Sequence, residues 1–342
     1  MKILFRTDAG TAMGLGHVMR CMALAEAALA AGHTAVFVMA PGASAMEERL
    51  KAGHYGVSAL VTKPGSSDDA AECIKIAKAE AADFIVVDGY HFSGAYQTSI
   101  RKGKIPLLFI DDYGHGSPYA ADLILNQNSY APQHAEWYES RTPSSWLLLG
   151  CTYTMLRKEF RETERKEKPI PDLGSSVLVT LGGGDPQNAT LKILQALQSI
   201  REIPLRISVV IGSANPHRAQ IESARGNARI LVDTREMPEL MAQADLVIAG
   251  GGTTSYELAY LGAPSLLCVL AENQRLVAEN LRKRKVAHLL GNPIDLSLDR
   301  IAQEILGLLR NKEERLQYAV NGRALIDGKG SERVLAAMLE SL

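Results

Sequence analysis

The first residues able to do chemistry lie in "RTDAGTAMGLGHVMRC", residues 6 to 21. His17 follows a glycine-broken loop and opens a run with apolar residues at Val18, Cys21, Met22, Ala25, Ala28 and Leu29. That spacing is helical, and Gly32 closes it. An imidazole at such a junction can take a proton from an attacking water. The positive end of the helix dipole disfavours imidazolium, and so favours the neutral ring a base needs. On position alone, a partly buried histidine making a structural hydrogen bond is an equal reading. Gly14 and Gly16 let the loop backbone come close to a ligand or to neighbouring chain. Asp8 either orients His17 or caps a loop. Arg20, one turn after His17, reads most plainly as a solvated surface arginine. Asp111 and Asp112 end a strand, where carboxylates suggest either a metal site or loop caps. Asn126 and Asn128 either line a cleft or make turns.

Two glycine-rich loops stand in the second half. "LGGGDPQNAT" (181 to 190), with Gly183, follows a strand and opens a helix that Asp185 or Asn188 can cap. "AGGGTTSYELAYLG" (249 to 262) repeats the arrangement. Glycines after a strand permit close backbone approach, and amides at a helix N-terminus bind an anion. Thr253 and Thr254 add hydroxyl donors beside Gly252. Neither loop is GxGxxG or GxxxxGK[ST], so neither is a Rossmann dinucleotide or P-loop signature. Glu257 can accept from the vicinal hydroxyls of a ribose. A capping box of Thr254 with Glu257 explains the same spacing equally well.

These residues need elements to hold them. In the first half "KILF", "TAVFVMA", "FIVVDGY", "PLLFIDD" and "ADLILNQ" read as strands, with helical runs between them. Their near-continuous apolar character implies burial on both faces, as in a parallel sheet. Periodicity weakens over 157 to 176, where charge gives way to Pro169, Pro171 and Gly174. The alternation then restarts with "SVLVTLGGG", "RISVVIGS", "RILVDT", "DLVIAGGG" and "PSLLCVL". The pattern predicts an α/β protein of two doubly wound domains, 1–165 and 175–342, joined by a linker at 166–174. Ligands are expected at the carboxyl ends of the strands and in a cleft between the domains.

Composition narrows the function classes. The chain has 342 residues, 46% hydrophobic and 22% charged, an ordinary globular balance. A formal net charge of −1 argues against wholesale binding to nucleic acid or an anionic membrane. The four cysteines show no CxxC or Cys/His spacing and read as small buried hydrophobes. "RKRK", 282 to 285, reads as a solvated helix face. The start "MKILFRTDAG" turns polar too early for a signal peptide, and no apolar run nears the ~20 residues of a spanning helix. A cytoplasmic protein without an integral membrane segment is expected.

Taken in order, "RTDAGTAMGLGHVMRCMALA", "VVDGY", "IDDYG", "ADLILNQN", "LLLGCTYTMLRKEF", "TLGGGDPQN", "AGGGTTSYELAYLGAPSLL" and "ENQ" resemble the UDP-sugar hydrolases of pseudaminic acid biosynthesis and their spore-coat polysaccharide relatives. The second loop also resembles the nucleotide-sugar site of the lipid II-forming N-acetylglucosaminyltransferase. The resemblance covers nearly the whole chain. It implies a GT-B architecture, with two Rossmann-like domains facing each other across a cleft. It implies metal-independent, inverting C1–O cleavage of UDP-2,4-diacetamido-2,4,6-trideoxy-β-L-altropyranose, with no cofactor and no ligand but the nucleotide sugar. GT-B enzymes usually need no metal-binding DxD, so Asp111 and Asp112 are assigned none. By the same resemblance His17 is the general base; Gly14, Gly16 and Arg20 are counted beside it as candidate substrate-binding residues. Tyr90 belongs to the sugar pocket. Met237 of "MPELM" stands where backbone holds uracil. Glu257 takes the ribose, Thr253, Thr254 and Asn273 contact the diphosphate, and Gly183, Gly252 and Gln274 are further substrate-binding candidates. Where the resemblance implies Asp-His-Tyr, this chain has Asp88-Gly89-Tyr90, with His91 after the tyrosine. That change bears on the sugar taken. A glycosyltransferase using the same site and a non-enzymatic nucleotide-sugar binder are the rival readings.

Overall fold

Buried runs of Val, Ile, Leu and Phe become parallel strands covered on both faces. The computed structural model describes residues 1–10, 15–142, 144–165, 168–213 and 215–342. The chain divides into two units, Met1–Lys158 with Gly328–Leu342, and Glu159–Asp327.

The first unit runs β1 (Lys2–Thr7), α1 (Gly16–Ala30), β2 (Thr34–Met39), α2 (Ser44–Ala52), β3 (Gly56–Ala59), α3 (Ser67–Ala79), β4 (Phe84–Asp88), α4 (Gly94–Arg101), β5 (Leu107–Ile110), β6 (Leu123–Asn126), α5 (Ala135–Glu139) and β7 (Trp146–Leu149). Its strands are ordered β3-β2-β1-β4-β5-β6-β7. The period of two along β1 splits the core. Ile3 and Phe5 pack with Cys21, Leu24 and Ala28 of α1, and Leu4 packs with Ala70, Cys73 and Tyr96 of α3 and α4. Gly32, at φ 81, ends α1 by donating its amide to the Leu29 carbonyl, 3.0 Å away.

The second unit contains α6 (Lys158–Glu162) almost entirely. It continues through β8 (Ser176–Thr180), α7 (Ala189–Ser199), β9 (Arg206–Ile211), α8 (Arg218–Ser223), β10 (Arg229–Val232), α9 (Met237–Gln243), β11 (Leu246–Gly250), α10 (Thr254–Leu261), β12 (Ser265–Cys268), α11 (Glu272–Lys283), β13 (His288–Gly291), α12 (Leu298–Arg310) and α13 (Lys312–Leu325). The strand order is β10-β9-β8-β11-β12-β13. The last helix, α14 (Gly330–Glu340), returns to the first unit.

This division differs from the sequence boundaries at both ends of the second unit. Residues 159–165 fall in that unit: Tyr260 donates to the Arg161 carbonyl at 3.4 Å, and the Arg165 guanidinium lies 4.5 Å from the Tyr260 ring centre. Helix α14 leaves it because Val334, Leu335, Ala337 and Met338 join the core around α1. A side chain at Gly330 would strike the Thr154 carbonyl, so that approach requires glycine.

Each sheet reverses its strand order once, between β1 and β4 and between β8 and β11. In open parallel sheets ligands bind beyond the carboxyl ends at such a reversal. Thr7 pairs with Asp88 in the first sheet, and Thr180 with Ala249 in the second. The histidine loop and "DGY" therefore leave neighbouring strand ends in one unit. The two glycine loops do so in the other.

Candidate functional site

Helix α1 starts with no side-chain cap and no acidic residue in its first turn. His17 and Arg20, three residues apart, share one face, and both are buried at 5% exposure. That face meets Asp88 at the end of β4. His17 Nδ1 lies 2.7 Å from Asp88 Oδ1. Arg20 donates to both Asp88 oxygens, Nε to Oδ2 and Nη2 to Oδ1, each at 2.6 Å. An ionised Asp88 can only accept, so neutral His17 carries its hydrogen on Nδ1 and keeps the Nε2 lone pair. Arg20 continues to Asp112, Nη1 to Oδ1 at 2.7 Å and Nη2 to Oδ2 at 3.1 Å.

Asp112 ties the sugar-side candidates to this pair. The Tyr90 hydroxyl donates to its Oδ2 at 2.9 Å, and the Tyr90 ring stands edge-on to His17 with centres 4.5 Å apart. Asn128 donates to Asp112 Oδ1 at 3.0 Å, while Asn126 and Tyr130 donate to its carbonyl. The two asparagines thus fix Asp112. Asp111 accepts from Tyr119 and Tyr138, each at 2.6 Å, and the Tyr138 hydroxyl in turn accepts from Asn126 at 2.8 Å. Among the described residues no group of three or more His, Cys, Asp or Glu is arranged to hold a metal ion.

Burial works against charge on Asp88 and Asp112. Arg20 and His17 outweigh it and hold both carboxyls below the usual range. A carboxyl with a lower folded than unfolded pKa stabilises the fold above about pH 4, and that stability is lost as pH falls towards the folded value. Urea unfolding should therefore show a loss of about 2–3 kcal/mol between pH 5 and pH 2. A flat profile would mean that these carboxylates contribute nothing as ions.

Asp88, not Asp8, orients His17. Asp8 Oδ1 accepts from Arg6 Nη1 and the Ala40 amide, both at 2.6 Å. Its Oδ2 lies 2.9 Å from His91 Nε2, an ion-pair distance without hydrogen-bond alignment. Arg20 is not a solvated surface residue but the buried link between two carboxylates. A Cβ at Gly89 would come 2.9 Å from the His91 ring and 3.0 Å from Phe92, so glycine here accompanies the displaced histidine. A Cβ at Gly16 would meet nothing, which leaves its backbone open to approach. Gly14 lies outside the described residues.

In the second unit the loops behave differently. Asp185 caps α7, accepting from the amides of Ala189 and Thr190 at 2.9 and 2.8 Å, so that helix end is already occupied by a carboxylate. A Cβ at Gly183 would meet nothing, which leaves its backbone open to approach; it is Gly212 that the packing requires, since a Cβ there would lie 2.8 Å from the Gly183 Cα. Helix α10 has no side-chain cap, and Glu257 is buried in its first turn. The Thr254–Glu257 box takes Thr254 as the cap, but Thr253 is the N-cap residue and Thr254 the first residue of the helix, and Glu257's amide reaches the Thr253 carbonyl at 3.4 Å. Thr253 is exposed and Thr254 half-buried beside Gly252. Gln274, in the first turn of α11 next to exposed Asn273, accepts from the Leu270 amide at 3.0 Å and packs under Gly250 and Gly251. Met237 begins α9, half-buried, ahead of Pro238. "RKRK" is exposed, as read.

Solved glycosyltransferases share this arrangement of sheets. Acinetobacter baumannii MurG gives a TM-score of 0.69 at 19% identity, covering 99% of each chain. The spinosyn rhamnosyltransferase SpnG complexed with thymidine diphosphate gives 0.68 at 16% identity, covering 99% of this chain and 100% of that one. The chain has the GT-B fold. Residues 177–330 of this GT-B protein match the glycosyltransferase family 28 C-terminal domain. The resemblance carried by the motifs is found as well. The spore coat polysaccharide biosynthesis protein SpsG of Bacillus subtilis is 26% identical over 97% of this chain and 96% of its own. The UDP-2,4-diacetamido-2,4,6-trideoxy-beta-L-altropyranose hydrolase of Campylobacter jejuni is 26% identical over 83% of this chain and 97% of its own. An uncharacterized protein of Methanocaldococcus jannaschii is 25% identical over 86% of this chain, and there the match spans 60% of the relative's length. No helix among the described residues is long and apolar enough to cross a membrane.

Proposed function

We propose that this protein hydrolyses a UDP-linked diacetamido-trideoxy sugar to UDP and the free sugar, in pseudaminic acid or surface polysaccharide biosynthesis. The observation that carries the reading is the His17–Asp88 pair, an oriented imidazole at the carboxyl end of a doubly wound sheet. Water attacks C1 from the side opposite the leaving group, which gives inversion. His17 Nε2 takes the water proton as the new C–O bond forms. The C1–O bond breaks, and its electron pair leaves with the β-phosphate of UDP. Asp88 holds the ring and stabilises the imidazolium that results. Tyr90 packs against that ring and bounds the sugar's site.

The second unit holds the nucleotide in this reading. The uncapped start of α10, with Gly252, Thr253 and Thr254, meets the diphosphate with amides and hydroxyls. Gly183, Asn273 and the Gln274 amide complete that surrounding. Glu257 binds the ribose hydroxyls, and backbone at Met237 binds uracil. The reaction needs no metal, because amides and hydroxyls meet the diphosphate charge. Glu257→Ala should weaken UDP binding roughly 10- to 100-fold, the loss of a charged hydrogen bond, with the fold retained. Calorimetric titration beside a thermal melt checks this. Normal UDP affinity with a lowered melting temperature would return Glu257 to a structural role.

A transferase is the second reading, favoured by the family 28 match and the GT-B fold. It would use the same donor site and pass the sugar to an acceptor hydroxyl. A screen of UDP-, GDP- and CMP-linked amino sugars, without acceptor and with a chelator present, separates the two. Release of UDP from a diacetamido sugar supports the hydrolase. Release only after a sugar acceptor is added supports the transferase. Activity restored by Mg²⁺ or Mn²⁺ would overturn the metal-independent part.

A further inference from the structure

We infer that Tyr113 is the platform against which the sugar of the nucleotide sugar stacks, an inference that rests on the site being one for such a ligand. Tyr113 directly follows Asp111 and Asp112 at the carboxyl end of β5. It is 51% exposed, while both aspartates are buried and the His115 side chain is 5% exposed. Its ring centre lies 5.3 Å from Tyr90 and 5.2 Å from His115. Tyr90 in turn stands 4.5 Å from His17. A continuous row of rings thus runs from the oriented imidazole to one open aromatic face.

A lone exposed apolar side chain needs no explanation. Tyr113 is different because its turn is pinned on several sides. The Gly114 amide donates to Asp111 Oδ2 at 2.8 Å. Gly114 has φ +89, and a Cβ there would come 2.6 Å from the Trp137 ring. Gln97 Nε2 donates to the Gly116 carbonyl at 2.8 Å, and a Cβ on Gly116 would strike the Phe109 ring. His115 Nδ1 sits 2.6 Å from Asp111 Oδ1, though without hydrogen-bond alignment. The turn that carries Tyr113 is therefore fixed, and its ring stands in the open one aromatic ring away from the candidate base. A fixed ring offers contact area at little entropic cost on binding.

A trideoxy pyranose suits such a face. Its ring C–H bonds, the methyl group at C6 and the two acetyl methyls give it apolar surface among its polar substituents. The phenol face covers part of that apolar surface, and its hydroxyl reaches towards a polar substituent. The nucleotide has no part in this contact, so Tyr113 governs the affinity that the sugar adds to UDP.

The test compares Tyr113→Ala and Tyr113→Phe in the chain carrying His17→Asn, so that ligand is consumed slowly. Calorimetry reads affinity for UDP and for UDP-2,4-diacetamido-2,4,6-trideoxy-β-L-altropyranose, with melting curves to confirm the fold. Tyr113→Ala should weaken the nucleotide sugar roughly 10-fold or more, as loss of an apolar contact does, and leave UDP unchanged. Tyr113→Phe should keep the sugar's contribution. Unchanged nucleotide-sugar affinity in Tyr113→Ala, or an equal loss for UDP, overturns the platform. So does a parent that binds the nucleotide sugar no tighter than UDP. Tyr113-dependent binding, together with no UDP release by the protein that keeps His17, would overturn the hydrolase reading and leave the platform standing.

Discussion

His17→Asn should reduce turnover by at least about 10²-fold, the lower end of what general-base catalysis contributes. Asparagine preserves a polar side chain of similar reach but cannot accept a proton at neutral pH. The expected split is specific. UDP affinity should barely change, because the nucleotide ligands proposed here all lie in the second unit. The pH–rate profile should lose the acidic limb that protonation of a histidine base imposes. The fold should survive, since Asp88 keeps its two bonds from Arg20. Near-normal turnover, or a defect confined to UDP binding, would remove His17 from the chemistry.

Arg20→Leu should have the largest effect on stability. It leaves Asp88 and Asp112, both buried, without the cation that links them. Breaking a buried ion pair from one side costs about 3–5 kcal/mol, more than most single substitutions. The pH dependence should also change sign. In the parent both carboxyls lie below their usual range, so acid destabilises. In the variant, burial and mutual repulsion raise them above the unfolded values. Protonation then favours the folded form, and stability should rise from pH 7 to pH 5. Urea midpoints at the two pH values measure this. A variant within about 1 kcal/mol of the parent, or one with the parent's pH profile, would contradict the network. Turnover should fall too, because Asp88 loses the partner that aims it at His17.

The strands at the middle of each sheet are legible because burial on both faces writes them as unbroken apolar runs. β3, β7 and β13 are not, and all three are sheet edges. Their residues are largely half-exposed, so the apolar signal is diluted. Helix α14 shows its apolar stripe plainly in Val334, Leu335 and Met338, but a stripe does not say which sheet it covers. Chain continuity suggests the second unit, and packing against α1 assigns it to the first.

The site is legible in part for a related reason. His17 and the glycine loops carry local signals, a strand end, a glycine and a helix start. Asp88 carries none. Its partners His17 and Arg20 lie 71 and 68 residues away in sequence, and a carboxylate ending a strand reads as an ordinary loop cap. Arg20 looks solvated for the same reason, since its burial depends on Asp88 and on Asp112, 92 residues distant. Asp185 and Asn188 are both reasonable caps by type. Only the geometry shows that Asp185 takes two amides of α7 and thereby occupies that helix end.

Carrying out the reaction in oxygen-18 water, with the UDP-linked diacetamido sugar and no acceptor, tests the central claim most directly. Mass spectrometry locates the label, and NMR identifies the first anomer formed. Attack on C1 by water activated at His17 predicts label only in the sugar's C1 hydroxyl, with that centre inverted. Label in UDP would mean that water attacks phosphorus, and UDP release that requires an acceptor would mean transfer; either result contradicts the account.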